Sequence, residues 1–442
     1  MRFIVSLCSA IIWGSGQLIN KQKLKALGFF IIQCILIFVE LFTGTFNVIT
    51  GSVDRTFRNC GFFIKGIWGL VTLGTIPRTD SSVLIYDHSV MLMISGLVAL
   101  VILLAFILVW IWNIRDAYKS RVEIEKGEKI SSIEYMENLW NNAFEYIMIT
   151  PGMIAVIFIS IIPIIFSVLV AFTNYNLNNI PPKNLVSWIG FKTFSDVLAT
   201  PIWGPTFVSV FIWTVIWAFG AGFLTYGFGL LQAILINAKG IRFKKMWRGI
   251  YMLAWAVPAL VSQLTFKAMF NTDGAFNQLL IGAGIIHKAI PFLSNVGWAR
   301  AVLFMVTTWL GFPSFMALIS GVMTTISPEL YEAAEVDGAN GWYKFRYISL
   351  PMILTATAPQ IILNVTFNFN NFGMIYFVTG GGPANPAFKL AGSTDILISW
   401  IFKLTLNQRM YNYAAAISIL IFIILATVNG LTLLRTRVFR ED

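Results

Sequence analysis

The chain has 442 residues, 57% of them hydrophobic and 12% charged, against roughly 45–50% and 25% in soluble domains. The apolar excess runs along most of the chain, which excludes a soluble domain with one anchor and predicts a multi-span membrane protein. The net charge of +11 reads as basic loops at one membrane face rather than a nucleic-acid footprint.

The first 16 residues resemble a short signal peptide. They lack a clear small-x-small cleavage site, and Lys21, Lys23 and Lys25 follow, so residues 1–26 are expected to be a retained segment on the cytoplasmic surface, with a cleaved signal as the alternative. A span needs about 20 apolar residues. Eight stretches qualify: 27–48, 90–112, 147–172, 207–236, 250–270, 301–323, 352–378 and 413–434. A ninth apolar stretch, 62–76, is short and carries glycines, as an interfacial or re-entrant piece would.

With the N-terminus inside, the cytoplasmic loops hold 19 of the 31 basic residues. Among these are Arg115, Lys119, Arg121, Lys126, Lys129, Lys239, Arg242, Lys244, Lys245, Arg248, Lys344, Arg346, Arg435, Arg437 and Arg440. The bias has the sign of the positive-inside rule, and an even span count puts both termini in the cytoplasm. The polar stretch 114–146 acts as a linker. It separates a two-span accessory module, 27–113, from a six-span core, 147–434, with a short tail at 435–442.

Cys8, Cys34 and Cys60 are too few and too scattered for a disulfide framework. His88 and His287 build no metal or nucleophile cluster. No G-x-x-x-x-G-K-[ST] phosphate loop is present. The sequence therefore offers no catalytic residues, no cofactor site and no metal site, and any ATP-driven work has to be done by another chain.

In the seventh span Asn364, Thr366, Asn368, Asn370 and Asn371 fall within eight residues. Polar groups in lipid face a bundle interior or a water-filled cavity. At about 100° per residue Asn364, Asn368 and Asn371 share a narrow arc with Phe367 beside them. An aromatic ring covers the C–H face of a sugar while amides donate to and accept from its hydroxyls. Hydrogen bonding between helices is the alternative role, and Asn370, on another face, is the better candidate for it. In the sixth span Gly311 and Pro313 weaken the helix, as Pro258 does in the fifth.

One cytoplasmic loop, 326–351, is unusually ordered. Ser327 is a good N-cap, Pro328 suits the first helical position, Glu329 suits the dipole, and Gly338 is placed to end the helix. A second short helix can follow through Trp342 to Tyr347 before Leu350-Pro351 re-enters the membrane. The spacing Glu332-Ala333-Ala334, three residues, Gly338, nine residues, Ile348, one residue, Leu350-Pro351 resembles the EAA loop of ABC importer permeases. From residue 147 onward the chain resembles, more narrowly, the first permease subunit of maltose/maltodextrin importers. The supporting strings are Thr308-Trp309-Leu310-Gly311-Phe312-Pro313, Phe367-Asn368-Phe369-Asn370-Asn371-Phe372, Gly381-Gly382-Pro383 and Thr394-Asp395-Ile396-Leu397.

The resemblance implies an all-α polytopic fold with the type I importer core in the last six of about eight transmembrane helices. It implies a coupling helix at which Glu332, Ala333, Ala334, Asp337, Gly338, Ile348, Leu350 and Pro351 meet the ATPase. It implies a sugar held midway through the membrane by Leu310, Gly311, Phe367, Asn368 and Asn371. Ser314 and Asn364 occupy two further family positions, where a family example has tyrosine and serine, and this leaves the exact sugar open. The implied partners are a second permease subunit, an ATPase dimer that binds ATP and Mg, an extracytoplasmic solute-binding protein, the sugar and membrane lipids. The implied location is the bacterial plasma membrane. The loop between the third and fourth spans lacks the large domain of the family example, which suggests a lineage with a single membrane. Another oligosaccharide, a polyol or a glycerol phosphate is the alternative cargo. An ion-driven transporter would need buried charges in mid-span, and the core spans carry almost none.

Overall fold

The computed structural model describes residues 2–44, 57–83, 85–127, 132–238 and 240–435. The end of the first expected span at 45–48, Lys129, Lys239 and the tail beyond 435 lie outside the described residues. Within them the regular structure is helical, with two isolated bridges, Thr173–Trp188 and Ala384–Gly392. The chain forms two compact units, residues 1–193 with 410–442, and 194–409.

The first unit opens with α1 (Arg2–Ile11), α2 (Ser15–Ile19), α3 (Lys23–Thr43), α4 (Phe62–Thr72) and α5 (Ser89–Glu125). α1 turns a polar side inward, because α5 carries buried Asn113 and Asp116 that need partners. Ser9 Oγ donates to Gln17 Oε1 (2.9 Å), and Gln17 Nε2 donates to Asn113 O (2.8 Å) and Asp116 Oδ2 (3.1 Å). Asn113 Nδ2 donates to Ser9 O (2.8 Å), and Lys25 closes the network on Asp116 Oδ1 at 3.2 Å. α4, 11 residues long, is too short to span. It lies along α5, where a Cβ on Gly66 would come within 2.6 Å of Ala99 and one on Gly69 within 2.9 Å of Leu92. Small residues permit that approach of two helices.

α6 (Ser132–Val156) carries Pro151 and runs through a π turn, Ile157–Ile161, into α7 (Ile162–Ala171). α8 (Lys192–Ala199) follows a polar loop. The second unit contains α9 (Trp203–Asn237), α10 (Lys244–Ala256), α11 (Ala259–Met269), α12 (Ala275–Gly282), α13 (Val296–Thr325), α14 (Pro328–Val336), α15 (Gly341–Lys344), α16 (Leu350–Phe369), α17 (Phe372–Val378) and α18 (Leu397–Phe402). α19 (Tyr411–Arg435) returns to the first unit and packs on α7, with the Tyr411 ring stacked on Tyr175 at 4.4 Å.

Among the described residues six helices are long and apolar enough to cross a membrane, and the bent pair α10–α11 makes seven. α19 covers the eighth expected span over 25 residues, but it stands outside that count, its part to Thr427 being a shorter apolar helix. Two expected spans are not continuous. The fifth bends by 90° between Ala256 and Ala259, because Val257, held extended before Pro258, cannot continue a helix. The seventh breaks at Asn370, where asparagine side chains compete for backbone hydrogen bonds. Pro313, by contrast, sits inside an uninterrupted α13.

The core of the second unit gathers Trp213 and Trp217 of α9, Leu303 and Val306 of α13, Ile375 of α17 and Ile396. Two motifs that lie apart in sequence fold together over it. Thr394 N donates to Gly381 O (3.2 Å) and Ser393 N to Pro383 O (2.8 Å). Asp395, 1% exposed, accepts from Gly392 N (2.7 Å) and Ser399 Oγ (2.8 Å) and pairs with Lys403 at 2.6 Å. Arg300 lies over the Trp213 ring at 4.0 Å and donates to Ser393 O (2.9 Å).

Candidate translocation path and coupling loop

The asparagines of α16 end one helix and start the next. Asn368 is 2% exposed. Its Nδ2 donates to Asn364 O (2.9 Å) and Oδ1 (3.2 Å), and its Oδ1 accepts from Asn371 Nδ2 (3.2 Å). Asn371 Oδ1 accepts from Met374 N (3.3 Å) as the N-cap of α17. The three expected arc residues are therefore brought together, but as a hydrogen-bonded ladder across a helix break. Asn364 stays half-buried, Asn370 is exposed, and the Phe367 ring is 64% exposed.

The expected residues of the sixth span sit differently from one another. Leu310 is half-buried and packs against the tryptophan core. Ser314 is exposed and donates to Gly311 O at 2.8 Å. Gly311 is a point of close helix approach, since a Cβ there would stand 2.6 Å from Thr225 Cγ2.

What joins the two sets is one face of α9, which the sequence reading did not single out. A Cβ on Gly222 would stand 2.8 Å from Val365 and 3.4 Å from Asn364 Oδ1. Three residues on, Thr225 meets Gly311. Tyr226 OH shares a 2.9 Å hydrogen bond with Thr357 Oγ1, and its ring meets Phe315 edge-on. A Cβ on Gly229 would stand 2.6 Å from the Phe315 Cβ. Small residues at 222, 225 and 229, on the i, i+3, i+7 pattern, were the available signal.

The loop 326–351 forms α14, α15 and a π turn, Phe345–Ser349, that runs into α16. Ser327 takes the N-cap position without a side-chain bond, so Pro328 and the helix-dipole preference of Glu329 are left to define the start. The far end is closed in full. Gly338 has φ +77°, Gly338 N donates to Glu335 O (3.1 Å), and Ala339 N donates to Ala334 O (2.8 Å), which is the Schellman pattern. Asn340 then caps α15 through Tyr343 N (3.0 Å). Lys344 Nζ pairs with Glu335 at 2.9 Å, and Tyr331 OH shares a 2.8 Å hydrogen bond with Ser349 Oγ, so α14 is pinned to the start of α16. Glu332, Ala333, Asp337, Gly338 and Pro351 are exposed; Ala334, Ile348 and Leu350 are half-buried. Val336 is 88% exposed.

A short capped helix between two spans and a polytopic helical core are the features that the EAA-loop resemblance implies for a permease of the ABC-importer class. The chain belongs to the family described as binding-protein-dependent transport system inner membrane component, whose pattern matches residues 225–439. It is 38% identical to the galactooligosaccharides transport system permease protein GanP of Bacillus subtilis, with 99% of each chain covered. It is 36% identical to the maltodextrin transport system permease protein MdxF of the same organism, covering 98% of this chain and 95% of that one. A chain from the crystal structure of a bacterial ABC transporter involved in import of the acidic polysaccharide alginate shares the fold. Its TM-score is 0.53 at 18% identity, covering 69% of this chain and 99% of that one.

Proposed function

We propose that this chain forms half of the translocation path of an ATP-driven importer for a neutral malto- or galacto-oligosaccharide. Its partners are a second permease subunit, an ATPase pair that binds ATP and Mg, and an extracytoplasmic solute-binding protein. Residues 147–434 form the working core and 27–113 the accessory module, with both termini in the cytoplasm of a bacterial cell. The sugar passes Leu310, Gly311, Ser314, Asn364, Phe367, Asn368 and Asn371. Similarity at 38% and 36% identity over nearly the full length to two oligosaccharide permeases supports the cargo class. The exposed Phe367 ring beside the asparagine ladder supports the site, since it leaves an aromatic face next to amides.

The observation that carries coupling is α14: a helix capped at its far end and tied to the start of α16, whose outer residues Ala333 and Val336 are exposed. ATP binding closes the ATPase pair, α14 moves with it, and the helices joined to it switch access. Ala333→Arg places a long cation on that outer face. It should leave the amount of permease in the membrane unchanged and reduce the ATPase that copurifies with it. Undiminished copurification and uptake would contradict the assignment.

A further inference from the structure

Where α2 and α3 meet, the first unit holds a groove of about 370 Å³. Its walls are Ile12, Leu18, Leu27 and Phe30, and its polar lining is Ser15 and Lys23. Lys23 is the single charged residue among the lining residues, and it is exposed, so the groove carries a positive charge at its open side. The surroundings are apolar as well: Phe3, Ile4, Leu7 and Ile11 of α1 are all more than half exposed, while the polar side of α1 is consumed by Gln17 and Asn113. The groove's own walls Ile12, Leu18 and Leu27 are exposed and apolar, as an acyl chain requires, at the foot of a span that begins at Lys23.

We propose that this groove binds one anionic phospholipid, with an acyl chain between α2 and α3 and the phosphate on Lys23. Charge complementarity selects the anionic headgroup. Position at the end of a span selects lipid over a soluble anion, because a lysine at a membrane surface attracts acidic headgroups. The site is separate from the proposed sugar path and coupling loop.

The test uses the purified permease, or its full importer complex, exchanged into phosphatidylglycerol or phosphatidylcholine and then delipidated stepwise, with bound lipid counted by native mass spectrometry. Wild type should retain phosphatidylglycerol through washes that strip phosphatidylcholine. Lys23→Gln should weaken phosphatidylglycerol retention about fivefold, while Lys21→Gln, outside the lining, should not. Leu27→Trp, which fills the groove from its rim, should lower retention of both lipids with an unchanged melting temperature. Equal retention of the two lipids, or Lys23→Gln behaving as wild type, would mean annular lipid only and would overturn the proposal.

Discussion

Gly338 illustrates how a single residue sets the geometry of a loop. No atom lies within 4 Å of the position its Cβ would occupy, so packing does not require glycine; the φ of +77° does. Gly338→Val adds backbone strain of about 1–2 kcal/mol, enough to reopen the helix end without unfolding the spans. Membrane level should hold while uptake and ATPase association fall; normal values for both would refute the role. Asn368 is the middle of the observed ladder and a residue of the proposed path. Asn368→Ala removes the ladder's middle rung and leaves Asn371 Nδ2 without its acceptor, at a cost of about 1–3 kcal/mol. Uptake should fall severalfold, while ATP hydrolysis stimulated by the loaded binding protein persists. Asn370→Ala, at an exposed position with no described side-chain bond, should change uptake less. If Asn368→Ala instead lost complex assembly while uptake per complex stayed normal, the asparagines would serve structure and not the path.

At the scale of elements, α9 joins α13 to α16 through side chains too small to announce themselves. Gly229→Ala drives a Cβ to 2.6 Å from Phe315 Cβ and 3.0 Å from Phe312 O, and overpacking of this kind costs about 1–3 kcal/mol. Gly227→Ala, two residues away with nothing within 4 Å, should be neutral or stabilising by up to about 1 kcal/mol from helix propensity. The melting temperatures of the two variants in detergent should separate accordingly, and equal shifts would contradict the packing role. The long apolar helices and the Gly338 end of the loop 326–351 were legible because length and capping chemistry are local signals, whereas the expected Ser327 cap makes no side-chain bond. The breaks were half legible: Pro258 marked its bend, whereas the asparagines read as one continuous face until their side chains were seen to end a helix. The α9 hub was hidden, because close approach depends on what stands opposite, and one strand of sequence does not carry that. The same holds for the Asp395–Lys403 pair, which joins the loop before α18 to the residue that ends it. Lys403→Met would strand a buried carboxylate at about 3–5 kcal/mol and should lower the thermal stability of the complex accordingly; an unchanged melting temperature would show that the pair is dispensable.

For the whole molecule the proposals come down to sidedness and energy source. In a background with Cys8, Cys34 and Cys60 replaced, an impermeant thiol reagent applied from outside should label Asn178→Cys and miss Asn340→Cys; the reverse pattern would invert the topology. Membrane topology was legible from charge and hydropathy only as a count of stretches, since a bent or broken helix has the same composition as a straight one. The most direct measurement is uptake of labelled malto- and galacto-oligosaccharides into vesicles holding this permease with its second permease, ATPase and binding protein. Uptake should require ATP on the ATPase side, persist when ion gradients are collapsed, and vanish when the ATPase is omitted. Gradient-driven uptake by this chain without the ATPase would contradict the account.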